Sequence, residues 1–311
     1  YVADSTEPEN RAKSLGWLSA ATNVGVTVGP VLGSLSMGLG ERAPGVVAAG
    51  LCAANMLFAW LFLQESHDVA GARASGVRAR RPREAVWHAL THPGEPAPRM
   101  IWIYAVGMGA FQMMTTLLAL FLAVRYGVTE KTIGVVYAYN GALSVLARAV
   151  ILGKALDRLG EARLSRVGQV LLASGLALLP LTWRVGGAVS LDLSALPGAW
   201  GTVEVQFRTL ALVGALALVP LGTAFTFPCV TAILSRLIPP YERGVYMGVQ
   251  QSFGGVARVV APLWAGWAFD HLGTGVPFWT GAALVLGTLA MGVGIEEYTR
   301  PKPEPAPVAA G

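Results

Sequence analysis

The chain has 311 residues, of which 54% are hydrophobic and 13% charged, and its formal net charge is +5. The apolar residues come in blocks of about twenty, each long enough to cross a hydrocarbon core, which excludes a single water-soluble domain and gives a polytopic membrane protein. The positive balance does not call for nucleic acid: with alternate loops assigned to one side, sixteen of the 23 basic residues collect there and five on the other, the bias that orients membrane helices, and both termini are expected in the cytoplasm.

Windows of apolar residues predict spans near 15–37, 44–63, 100–124, 132–153, 163–183, 210–233, 245–269 and 276–295. The chain opens on Tyr1 without a charged leader and short apolar core, so no signal peptide is expected and upstream sequence is. In the first span Ser19, Asn23 and Thr27 share one face, while Gly25 and Gly29 project from roughly the opposite side and Pro30 permits a bend. A helix of this kind lines an aqueous cavity with its polar stripe and meets a partner helix closely along its small residues.

The segment 64–98 is rich in arginine and proline (Arg73, Arg78, Arg80, Arg81, Arg83, Pro82, Pro93, Pro96, Pro98) and reads as a cytoplasmic linker. His88 and His92 lie there at helical spacing. With Pro93 adjoining and no third ligand apparent, they read as part of a solvated linker, and no metal is expected.

In span 100–124 Gln112 and Thr116 are polar, and in span 132–153 Tyr137, Asn140, Ser144 and Arg148 share one face. Arg148 lies within about 7.5 Å of helix rise from Gly153, so snorkelling to the interface and a cavity role both remain open. Between 184 and 208, Val189, Leu191 and Leu193 alternate with Ser190, Asp192 and Ser194; beyond a turn, Val203, Val205 and Phe207 alternate with Glu204, Gln206 and Arg208. That period of two predicts a small external β-hairpin at 188–208. Gln251 and Arg258, seven apart in span 245–269, are nearly superposed around the axis, and polar groups so placed should face the bundle interior or a water-filled cavity. Cys52 and Cys229 fall in apolar spans and predict no disulfide.

The sequence from Pro8, PENRAKSLGWLSAATNVGVTVGPVLGS, aligns without gaps to PYERGVYMGVQQSFGGVARVVAPLWAG from Pro240. Arg11 meets Arg243, Pro30 meets Pro262, and Gly25, Gly29 and Gly33 meet Ala257, Ala261 and Ala265. The two copies are six helix steps apart, which implies parallel repeats of six helices. Four spans precede the matching helix in the second copy, so four are expected upstream of the first. The expected domains are 1–63, the end of one six-helix bundle; 64–98, the linker; 99–297, the second bundle; and 298–311, a disordered cytoplasmic tail.

GVTVGPVLGS resembles the antiporter motif GxxxGPxxGG of the major facilitator superfamily at Gly25, Gly29, Pro30 and Gly33, departing at Ser34. GKALDRLGEAR resembles that superfamily's cytoplasmic loop signature at Gly153, Asp157, Arg158 and Gly160, departing at Glu161 and Ala162. The resemblance implies an all-α fold holding helices five to twelve of twelve, and a cytoplasmic latch involving Arg11, Gly153, Asp157, Arg158, Gly160 and Arg243, with Asp157 near Lys13 and Ser14. The helix-five motif is similar to that of proton-coupled drug exporters. It implies a secondary transporter of the cell inner or plasma membrane, exporting small amphipathic molecules or drugs by alternating access in exchange for protons. Its cavity would include Asn23, Thr27, Gln112, Thr116, Tyr137, Asn140, Ser144, Arg148, Gln251 and Arg258. No cofactor, nucleic acid or enzymatic activity is expected; the partners are a small-molecule substrate, protons and the lipid bilayer. A carrier or facilitator importing a small anionic solute, and a non-transporting remnant, are the alternatives. The spans hold no obvious carboxylate, so a coupling acid is expected upstream.

Overall fold

Hydrocarbon offers no partner for a peptide N–H or C=O, so a long apolar run satisfies its backbone internally as a helix. A computed structural model describes residues 25, 28–29, 32–33, 35–40, 42–62, 81–192, 202–239, 241–292 and 294. After a 3-10 turn at Met37–Leu39 come α1 (Ala43–Phe62), α2 (Pro82–Thr91), α3 (Pro96–Tyr126) and α4 (Glu130–Leu146). A π-helical stretch, Ala147–Ile151, precedes α5 (Leu152–Leu178), which ends in a 3-10 turn at Leu179–Arg184. Strands β1 (Ala188–Asp192) and β2 (Thr202–Gln206) lead into α6 (Phe207–Leu237), α7 (Arg243–His271) and α8 (Val276–Met291). Helices thus cover seven of the eight expected spans, and residues 25, 28–29, 32–33 and 35–36 of the other are helical. Ala43–Phe62, Pro96–Tyr126, Thr132–Arg184 and Phe207–Leu237 are each long and apolar enough to cross a membrane.

The chain divides into two compact units, Tyr1–Arg78 with Gly127–Leu146, and Ala79–Tyr126 with Ala147–Gly311. In the first, the side chains of α1 are largely exposed, including Trp60 and Phe62.

The second unit is held by helices that approach closely through small residues. A methyl group added at Gly222 of α6 would lie 2.5 Å from the backbone nitrogen of Leu172 in α5, and one at Gly168 would lie 2.7 Å from that of Thr226. No side chain fits there, so the α5–α6 contact depends on glycine on both sides. The α3–α7 contact is built similarly: a methyl at Gly109 would sit 3.4 Å from Cβ of Ala257 and 3.5 Å from Cβ of Ala261. Helix α8 closes the group through the Phe121–Phe278 ring pair, with centroids 5.1 Å apart, and a buried bond from the Thr288 hydroxyl to Oε1 of Gln169, 3.0 Å.

The hairpin forms as the alternation predicts, antiparallel with Val189 opposite Val205 and Leu191 opposite Val203. At its end of the unit, Arg125 donates to Thr274 Oγ1 at 2.8 Å and lies 4.4 Å over the Trp183 ring, while Tyr126 donates to Thr182 Oγ1 at 2.6 Å.

Two features depart from the sequence reading. Residues 81–98 do not form a solvated linker: α2 buries Ala85 and Ala89 in the core with Met100, Ile101 and Tyr246, and the Trp102 indole donates to the Ala89 carbonyl at 3.0 Å. Alanines spaced by four make a docking face too narrow to register as an apolar period. Residues 152–159, expected as the end of a span and its loop, are helical, and the break comes at Gly160, with φ 71 and ψ 166.

Candidate functional site

Helix α7 presents three faces. Gln250, Gly254, Ala265 and Ala268 are buried, toward α3 and its neighbours. Val256, Val259, Val260, Leu263 and Trp267 form an exposed apolar face. Between the two, Gln251, Gly255, Arg258 and Pro262 fall within an arc of about 60°. This flank exposes the amide of Gln251 and the guanidinium of Arg258. A helix that keeps polar and apolar surfaces apart in this way suits a boundary between lipid and an aqueous cavity. Gln251 is steadied from α3, where the Tyr104 hydroxyl donates to its Oε1 at 3.3 Å. Tyr104 escaped the sequence reading; a phenol inside an otherwise apolar run was the available signal. Also missed was the neighbouring Gln250, fully buried, whose Oε1 accepts from Thr231 at 3.3 Å.

On α3 the Gln112 amide donates to Thr116 at 3.4 Å, one turn along the same helix. In the first unit, Tyr137, Asn140 and Ser144 of α4 are half-buried, and Asn140 donates to the Val136 carbonyl of its own helix at 3.3 Å. Arg148 belongs to the second unit and lies in the π-helical stretch, a backbone form concentrated at functional positions. Asn23, Thr27, Pro30 and Arg11 lie outside the described residues, as do Lys13 and Ser14. A methyl group at Gly25, Gly29 or Gly33 would have nothing within 4 Å, so the close neighbour expected for this stripe is not among the described residues.

At the opposite end of the second unit from the hairpin, Gly153, Asp157 and Arg158 are exposed, and Arg243 donates to the Ile238 carbonyl at 3.3 Å. The backbone break at Gly160 turns the next residue, Glu161, inward. Its Oε1 accepts from Arg236 at 2.8 Å, and its Oε2 is buried with no hydrogen-bond partner among the described residues. Glu161 is one of the two positions, with Ala162, at which the loop departs from the signature, and the sequence reading gave it no role.

The family description Major Facilitator Superfamily matches residues 1–204 and 193–310, which together take in nearly the whole chain. The chain belongs to the major facilitator superfamily. It is 27% identical over 263 residues to a tetracycline resistance protein, class C, of Escherichia coli, covering 85% of this chain and 59% of that protein. To multidrug resistance protein 2 of Bacillus subtilis (strain 168) it is 24% identical over 295 residues, 92% of this chain and 65% of the relative. A similar 24% identity over 326 residues links it to hippocampus abundant transcript-like protein 1 of Rattus norvegicus, covering 96% and 59%. The chain therefore spans about 59% to 65% of the length of these relatives. Superfamily membership and the apolar helices make it a multi-pass membrane protein of a transporter family.

Proposed function

We propose that this chain forms the larger part of a secondary transporter that exports small amphipathic molecules in exchange for protons, by alternating access, in the inner or plasma membrane with both termini cytoplasmic. The observation that carries this reading is the division of α7 into a buried face, an apolar face and the polar flank of Gln251 and Arg258. Relatives named for tetracycline and multidrug resistance support export of amphipathic compounds. Asn23, Thr27, Gln112, Thr116, Tyr137, Asn140, Ser144 and Arg148 are proposed to complete the cavity.

Among the described residues, Glu84, Glu95, Asp157, Glu161, Glu204, Glu242 and Asp270 lie at or near helix ends, in the 81–98 segment or in the hairpin. The coupling acid is therefore proposed to lie upstream, facing the same cavity. Asp157, with Arg158, Arg11 and Arg243, is proposed as the cytoplasmic latch, its carboxylate favoured by the positive end of a neighbouring helix.

The test is efflux of a tetracycline and of a fluorescent hydrophobic cation from inverted vesicles carrying the complete transporter under an imposed pH gradient. Gradient-driven movement that falls at least about tenfold in Arg258→Gln, a loss of about 1.4 kcal/mol, supports the reading. Gradient-insensitive movement, or unchanged transport in that variant, overturns it. A second reading, carriage of a small anion, is favoured by Arg258, an exposed cation that meets no carboxylate partner among the described residues. It predicts competition by anionic solutes in the same vesicles.

A further inference from the structure

The last turn of α2 gathers three metal-ligating side chains. His88 and His92 stand one turn apart with ring centroids 5.1 Å from each other. The chain then turns through Pro93 and Gly94 and brings Glu95 back, so that its Oε2 lies 3.0 Å from Nε2 of His88. One ligand atom from each of the three lies within 4.8 Å of the others. Four ligands around zinc at bonds of about 2.0–2.2 Å are about 3.3–3.6 Å apart, so the His88–Glu95 pair is already near that spacing. His92 and Glu95 are exposed and free to close the remainder by rotation. From the sequence no third ligand was evident, because Glu95 is seven residues from His88 and only the turn after the helix returns it.

We propose that His88, His92 and Glu95 form a zinc site, independent of the substrate cavity. The hydrogen bonds fix which ring nitrogens are available. Thr91 donates its single hydroxyl proton to the Trp87 carbonyl at 2.8 Å, so it accepts from Nδ1–H of His92 at 2.7 Å, and Nε2 of His92 is left with its lone pair. Nδ1 of His88 is 3.2 Å from the hydroxyl of Tyr246, a buried phenol that accepts the Nδ1 proton once Nε2 turns to the metal. An outer partner on the second nitrogen is how metal-ligating histidines are oriented. The platform is held as well: Ala85 and Ala89 are fully buried beneath the helix, and Arg99 donates to the Gly94 carbonyl at 2.7 Å, bracing the turn. Two imidazoles and one carboxylate select zinc over magnesium or calcium, which take oxygen ligands, and leave the fourth position to water. The bound ion cross-links the end of α2 to the turn that opens α3 and, through Tyr246, tightens both against α7.

The test uses the purified 311-residue chain in detergent micelles, stripped with a chelator and titrated with Zn²⁺ against a chromophoric competitor. One zinc per chain is expected. His92→Ala and Glu95→Gln should each weaken binding by more than the change in Thr91→Val, which removes only an outer partner and should cost about tenfold. His271→Ala, remote from the site, should bind as the parent does. Co²⁺ in the unaltered chain should give the intense visible absorption of four-coordinate nitrogen and oxygen ligation, a readout that does not depend on any variant folding. No zinc bound below about 100 μM, binding unaltered in both His92→Ala and Glu95→Gln, or a weak six-coordinate cobalt spectrum would each overturn the proposal. The site is separate from the cavity, so its failure leaves the transport reading standing, and the converse also holds.

Discussion

Glu161 and Arg236 bear unequal shares of their ion pair. The arginine side chain is 60% exposed and the carboxylate 10%, so water screens one partner and barely reaches the other. An exposed pair contributes roughly 0–1 kcal/mol, whereas a buried charge deprived of its partner costs substantially more. Arg236→Ala should therefore destabilise the protein more than Glu161→Gln does, since the first strands a buried carboxylate and the second leaves a neutral amide able to donate to its surroundings. Thermal unfolding of the two variants in detergent tests the order; equal shifts would mean that water reaches Glu161. This interaction was not legible in the sequence because its partners are 75 positions apart and only the Gly160 turn aims the carboxylate at α6. Arg258 was legible, since a cation midway along an apolar run stands out from any periodicity.

The two glycines of the loop signature have opposite structural roles. Gly153 sits in regular helix with open space where a Cβ would go, while Gly160 adopts φ 71 and ψ 166, a region reserved almost wholly to glycine. Gly160→Ala should cost about 1–3 kcal/mol and Gly153→Ala close to nothing or a slight gain, measured again by thermal unfolding. A similar cost at both positions would contradict the break. Most elements could be read from the chain: the apolar blocks predicted the helices, and strict alternation in 189–193 and 203–207 predicted the hairpin, whose register, Val189 opposite Val205, came from the structure. What could not be read were features set by tertiary contact. Helix α2 docks on two alanines that carry little apolar signal, and the close approach of α5 to α6 becomes visible only when the backbones of Gly168 and Gly222 meet. Of the proposed cavity residues, Gln251 acquired an unforeseen partner in Tyr104, while Gln112 turned to its own helix.

For the molecule as a whole, the internal repeat gives meaning to a face that meets no neighbour among the described residues. Ala257 and Ala261, the repeat counterparts of Gly25 and Gly29, pack against Gly109 of α3. By that correspondence, we propose that the small stripe of Gly25, Gly29 and Gly33 receives the upstream counterpart of α3, within the stripe's own six-helix half. Gly29→Leu in the complete transporter should then abolish transport while membrane insertion, followed by surface labelling, stays intact; normal efflux by a well-inserted variant would rule the correspondence out. The length of α3 bears on the surrounding lipid. Trp102 and Tyr126 are 24 positions apart on it, about 36 Å of rise, and aromatic rings of this kind settle at the two headgroup boundaries. A hydrocarbon layer of about 30 Å leaves that spacing several ångströms too long, to be absorbed by tilt. The spacing between these rings thus acts as a thickness gauge: the helices should stand most upright in membranes enriched in long acyl chains and lean progressively as the chains shorten.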